Sequence, residues 1–165
     1  MSTMTNWEIY VIQPAERTNL ITNPSFESGL TTGWTFGGSG TVGTTATRYG
    51  YRSVFVEKTT GDCTAVWAQA LTSGQVYTAS ASVKGIAGAI YKLQFIDGSA
   101  VVVAETVFTS NGYWQRQSVT YTAAATATYS VRIISATATN SFYLDGAQLE
   151  AAATPSTYFD GSMDW

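Results

Sequence analysis

The stretch QVYTASASVK, from Gln75 to Lys84, alternates for ten positions: Tyr77, Ala79, Ala81 and Val83 fall on one side of an extended chain, and Thr78, Ser80, Ser82 and Lys84 on the other. A period of two puts successive side chains on opposite faces of a sheet, so this segment predicts a half-buried β-strand. Similar runs flank it. Ser53–Lys58 (SVFVEK) and Ala65–Leu71 (AVWAQAL) precede it; Ile90–Ile96, Val101–Phe108, Trp114–Thr122, Thr128–Ser135 and Ser141–Leu149 follow. Gly and Asn punctuate the gaps at Thr60-Gly61-Asp62, Ser73-Gly74, Gly85–Gly88, Asp97-Gly98 and Asn111-Gly112. Asp97-Gly98 between two apolar runs predicts a two-residue hairpin turn with positive φ at both central positions. The Ala-Thr stretch from Thr122 to Thr128 reads as a loop, because its alternating Thr residues and flanking strands outweigh the helix propensity of Ala. Many short strands at regular spacing predict an all-β sandwich or barrel.

Composition narrows the function. The chain has 165 residues, 45% hydrophobic, 13% aromatic and only 12% charged, which fits one globular domain with arms. A chain of that length buries roughly 70% of its unfolded surface, so it needs no metal or disulfide to hold a core. A net charge of -3 and a pI near 4.7 argue against nucleic acid, whose phosphates call for clustered Lys and Arg. Cys63 is the single cysteine, so no intrachain disulfide forms and the thiol is expected to be a small packed side chain. Residues 1–18 show no basic region followed by an apolar run, and no cleavable secretory signal is expected. No stretch approaches the ~20 apolar residues of a membrane-spanning helix.

Catalysis is the weakest hypothesis. The chain contains no His, which removes Ser-His-Asp and Cys-His nucleophile systems. No Gly-rich turn followed by Lys and a helix is present to cradle phosphate. A glycosidase needs two carboxylates at a set separation, and the eleven acidic residues lie mostly singly in turns or arms. The expectation is a protein that is not an enzyme.

Two segments bracket the strand series: NLITNPSFESGLTTGW (Asn19–Trp34) and FYLDGAQLE (Phe142–Glu150). With Tyr49-Gly50-Tyr51-Arg52-Ser53 and the Gly74, Tyr77, Ser80, Val83, Lys84 pattern between them, the chain resembles the jelly-roll carbohydrate-binding modules of xylanases and cellulases, a sandwich also found in bacteriophage tail and virion proteins. The resemblance runs from Asn19 to Glu150. It implies a jelly-roll β-sandwich of two antiparallel sheets over residues 19–150, with extended N-terminal (1–18) and C-terminal (151–165) arms. QLEAAATPSTYFDG (Gln148–Gly161) further resembles a segment that ends such sandwiches in phage tail and prophage proteins.

Sugar binding calls for aromatic faces that stack on pyranose rings beside polar groups for their hydroxyls. Trp67, with Gln69 on its face, is the stacking candidate, and Ser82, Lys84, Lys92 and Gln94 are expected to line one polar outer face; Trp34 and Trp114 are expected to pack inside. The resemblance implies a structural calcium, with Glu27 and Asp145 as side-chain ligands; otherwise these carboxylates pair with Arg52 or cap backbone amides. No other cofactor is expected. The arms, through Trp7, Tyr10 and Ile12 of the alternating WEIYVIQP and through Tyr158, Phe159 and Trp165, are expected either to contact other virion proteins or copies of this chain, giving a homo-oligomer, or to pack back on the domain. Two settings follow from the resemblance: a phage virion component, in a tail or decorating a capsid, touching host glycans and extracellular after release; or a free module of a secreted polysaccharide-degrading enzyme.

Overall fold

A computed structural model describes residues 17–58, 62–136 and 140–163. The arm residues Trp7, Tyr10, Ile12 and Trp165 lie outside the described residues. Among the described residues twelve strands follow in chain order: β1 (Arg17–Thr18), β2 (Trp34–Gly37), β3 (Ser39–Gly43), β4 (Ser53–Glu57), β5 (Thr64–Leu71), β6 (Val76–Gly85), β7 (Ile90–Ile96), β8 (Val102–Thr109), β9 (Gln115–Thr122), β10 (Ala127–Ser135), β11 (Phe142–Glu150) and β12 (Ser162–Met163). They form a first sheet ordered β2-β5-β10-β7-β8, a second ordered β3-β4-β11-β6-β9, and the short pair β1-β12. All pairings are antiparallel. Two five-stranded antiparallel sheets packed face to face make the jelly-roll sandwich that the family resemblance implies.

The longer strands contribute alternate residues to the core. Tyr77, Ala79, Ala81 and Val83 of β6 point inward with Leu144 and Leu149 of β11, and meet Leu93 and Phe95 of β7 and Val131 and Ile133 of β10. Full burial of such side chains stabilises the fold by about 1.5–3 kcal/mol each for the larger aliphatics. Cys63 is fully buried, and burial pushes its thiol up to about 11, so it packs as a small apolar group.

The bracketing segments meet in space. Asn19 accepts hydrogen bonds from the amides of Ile21 (3.1 Å) and Leu149 (3.0 Å), and donates to the carbonyl of Ala147 (3.0 Å). The Leu20 amide also donates to Leu149 O, and the Ala147 amide to Pro24 O. The opening segment therefore runs along β11 where that strand bulges between Asp145 and Gln148. The bulge interrupts the β6 ladder and leaves backbone groups that this segment satisfies.

Two sequence expectations change. Asp97 and Gly98 do not form a two-residue turn: the Asp97 side chain accepts the amides of Ser99 and Val101, both at 2.9 Å, and the Ala100 amide donates to Asp97 O. This Asx-type bonding favours a longer loop, in which Ala100 rather than Gly98 takes positive φ (63°). Strands β2 and β3 lie in the Gly-rich WTFGGSGTVG, where little alternation is visible.

Candidate glycan-binding faces

The sandwich has two outer faces, and strand order decides which polar residues share one. β6 belongs to the second sheet and β7 to the first, so the Gly85–Ala89 connection crosses the sandwich. Lys84 therefore stands on the opposite side from Lys92 and Gln94, and the expected single polar face divides in two.

On the first sheet, register aligns Val66, Arg132, Gln94 and Glu105 across four adjacent strands. Arg132 Nε donates to Gln94 Oε1 (2.8 Å), Gln94 Nε2 donates to Glu105 Oε2 (2.8 Å), and Lys92 Nζ pairs with the same oxygen at 3.4 Å. Gln94 is only 3% exposed although it points away from the core, because its neighbours close over it. The bond from Gln94 chiefly, with help from Lys92, holds the Glu105 carboxyl below its ordinary range against partial desolvation. A hollow of about 280 Å³ opens beside this row, lined by Asp62, Lys92, Gln94, Arg132, Ile134 and Ser135. The row offers fixed donors and acceptors on rigid strands.

Trp67 is not on that surface. It is 7% exposed and packs against Trp34, with ring centroids 5.9 Å apart, while Trp34 in turn meets Phe26 at 5.5 Å. A Cβ built on Gly33, whose φ is +84°, would sit 1.9 Å from the Trp67 ring, so that ring fills the space a side chain there would need. Gln69, two residues on, shares its inward side and is half-buried beside Tyr129. Both β5 faces are apolar in sequence, Ala65-Trp67-Leu71 and Val66-Ala68-Ala70, so alternation shows which residues share a face but not which face is inside. Trp34 packs inside as expected, and Trp114 is half-buried.

The second sheet's outer face is divided again. Over β6 and β11 it is covered by residues 151–160. Ser156 donates its amide and hydroxyl to Glu150 (3.0 and 2.6 Å) and accepts from Gln148 Nε2 (2.8 Å), while Thr78 Oγ1 donates to Ala152 O (2.8 Å). The Tyr158 ring lies 4.2 Å from Tyr49, and Phe159 is 7% exposed beneath Arg17. These two aromatics, expected to reach a partner or fold back, pack on their own domain. Where the cover ends, Phe55 and Tyr143 stand side by side at 4.7 Å with Lys84 next to Tyr143 in register. Neither ring was among the expected site residues, yet SVFVE sets Phe55 opposite Val54 and Val56, and FYL sets Tyr143 opposite Phe142 and Leu144.

Glu27 and Asp145 converge on the 44–52 loop. Asp145 Oδ2 accepts the amides of Arg48 (2.7 Å) and Tyr49 (2.9 Å), and Glu27 Oε1 accepts those of Tyr51 (3.0 Å) and Arg52 (2.8 Å). The carboxylates therefore cap backbone. Asp145 is fully buried and its Oδ1 has no partner among the described residues. Burial pushes its carboxyl up to about 6 in spite of the amide bonds. An orphaned carboxylate oxygen beside a second carboxylate is the donor chemistry a hard cation takes, with backbone carbonyls completing the shell. No cluster of three or more His, Cys, Asp or Glu occurs among the described residues.

The family model described as a carbohydrate binding domain matches residues 18–141. Among solved structures, the chain is similar to the C-terminal family 22 carbohydrate-binding module of Clostridium thermocellum Xyn10B (20% identity, TM-score 0.66, covering 84% of this chain and 97% of that one). It is also similar to TmCBM61, solved with β-1,4-galactotriose (17%, 0.59, 79% and 97%), and to the enzymatically active domain of bacteriophage CBA120 tailspike protein 4 (12%, 0.59, 80% and 21%). No curated protein matches the sequence.

Proposed function

The chain belongs to the carbohydrate binding domain family, and from that premise we propose that it is a non-catalytic module that binds glycan on the outer face of the first sheet. The carrying observation is the Arg132–Gln94–Glu105–Lys92 row beside its hollow. Hydroxyl recognition needs donors and acceptors already fixed in place, and this row costs little further ordering on binding. Arg132 and Lys92 donate, Glu105 accepts, and Gln94 holds them in line. No strand of this sheet turns an aromatic ring outward among the described residues, so affinity there rests on hydrogen bonds. Titration calorimetry of the full chain with xylohexaose and β-1,4-galactotriose tests this. Heat that saturates, and shrinks when Arg132 is replaced by Ala, supports the proposal; no heat with either ligand argues against these backbones as the target.

We further propose a bacteriophage virion, tail or capsid surface, as the setting, with host glycan as the ligand and copies of this chain or other virion proteins as neighbours. The likeness to a tailspike domain and the tail-protein resemblance of Gln148–Gly161 support it. The alternative, a free module of a secreted polysaccharide-degrading enzyme, is favoured by the likeness to xylan-binding domains. Mass spectrometry of purified particles separates the two: peptides of this chain in the virion support the first, and their absence the second. The same loop chemistry supports a structural calcium held by Asp145 and Glu27.

A further inference from the structure

On the second sheet, register sets Thr41, Phe55, Tyr143 and Lys84 in one row across β3, β4, β11 and β6. The Phe55 and Tyr143 rings, 4.7 Å apart and inclined at 39°, form a ridge between two hollows. One, of about 300 Å³, is lined by Thr41, Thr45, Ser53 and Glu57 with both rings. The other, of about 110 Å³, lies between the rings, Lys84, Ile86 and Ser141. The larger hollow is at the lower end of small-molecule sites.

We propose that this ridge is a second glycan site, distinct from the first-sheet row and on the other side of the sandwich, that takes one pyranose unit stacked on the aromatic pair. Its chemistry complements the first site: rings for the apolar C–H face of a sugar, Glu57 to accept from hydroxyls, and Lys84 to donate. The Lys92–Glu105 pair is the one ion pair among the described residues, so the charges of Glu57 and Lys84 are not spent on a salt bridge. The apolar part of the surface is two rings wide, far below the roughly 800 Å² per partner of a stable protein interface. A small amphipathic ligand fits it and a second copy of the chain does not. Because residues 151–160 cover the far ends of β6 and β11, the site is bounded on that side, and a longer chain leaves over β3 and β4.

The test is amide chemical-shift mapping on the isotopically labelled full chain. The probes are xylohexaose, β-1,4-galactotriose and the methyl β-glycosides of glucose, galactose and xylose, each to about 10 mM, where sites of millimolar affinity fill. The expected result is a set of shifts at Phe55, Glu57, Lys84 and Tyr143 that titrates separately from any shifts at Lys92, Gln94 and Arg132. Replacing both rings by Leu (F55L with Y143L), which nearly conserves volume on an outer face, weakens the first set about tenfold or more and leaves the second unchanged. Arg132→Ala does the reverse, so failure of one site is distinguishable from failure of the other. Shifts at the ridge that depend on protein concentration without sugar overturn the proposal in favour of self-association. No shift there with any probe, or shifts that survive the double Leu variant, overturn it outright.

Discussion

The two outer faces of this sandwich are built from the same alternation but end in opposite conditions. The first sheet keeps its polar row facing a hollow, with Gln94 closed in by Arg132, Lys92 and Glu105. The second sheet covers Thr78, Gln148 and Glu150 with residues 151–160, and leaves the half-buried Phe55–Tyr143 corner outside that cover. A buried polar side chain needs a partner. The second sheet finds its partners both in its own C-terminal segment and in Arg116, which donates to Ser80 Oγ and Gln148 Oε1, whereas the first sheet relies on neighbouring side chains alone and leaves capacity for a ligand.

That contrast can be pressed at four points. The largest effect is expected on the inner side of the first sheet: Trp67→Ala should lower stability by about 3–5 kcal/mol, measured by denaturant unfolding. A value near zero would mean that Trp67 lies outside the core. Next, calcium in excess should raise the melting temperature of the full chain, by about 2.7 kcal/mol of stability at a hundredfold excess over the dissociation constant. Asp145→Asn should abolish that increment in calorimetric scans, and an equal increment in the variant would remove Asp145 from the site.

On the covered face, Glu150→Ala removes both Ser156 bonds and should cost about 2 kcal/mol. Hydrogen exchange should then rise at Ser156 and Thr157; unchanged exchange would mean that the segment is held without Glu150. The smallest stability effect is expected on the open face, where Arg132→Ala removes the bond to Gln94 Oε1 but opens that oxygen to water, so unfolding should change by about 1 kcal/mol. A larger loss would make the row structural rather than recognitive.

Much of the fold was legible because eight strands carry period-two patterns, and the strand ends shift by only a residue from those expected. Ile90–Ile96 is the same in both. What alternation does not carry is the layer. It places Trp67 and Gln69 together without saying that their side is the inner one, and it groups Lys84 with Lys92 although Gly85–Ala89 takes the chain from one sheet to the other. Sheet membership depends on long-range pairing, β6 with β11 and β9, β7 with β10 and β8, which no local pattern encodes. Arg132 was missed for the same reason: VRII reads as strand, and only the β10–β7 register sets Arg132 beside Gln94. The Phe55–Tyr143 pair was within reach, since each ring stands alone on the polar side of its strand. The capping role of Glu27 and Asp145 was among the sequence alternatives and is what the loop amides show.

The function proposed for this domain is sugar binding by the open face of its first sheet. Its most direct test is glycan-array binding of the full chain beside its Arg132→Ala variant at matched concentration and with melting temperatures compared. The expected result is a defined set of bound glycans for the unmodified chain and a loss of about tenfold or more in the variant without a matching loss of stability. Equal binding by both proteins, or none by the unmodified chain, would contradict it.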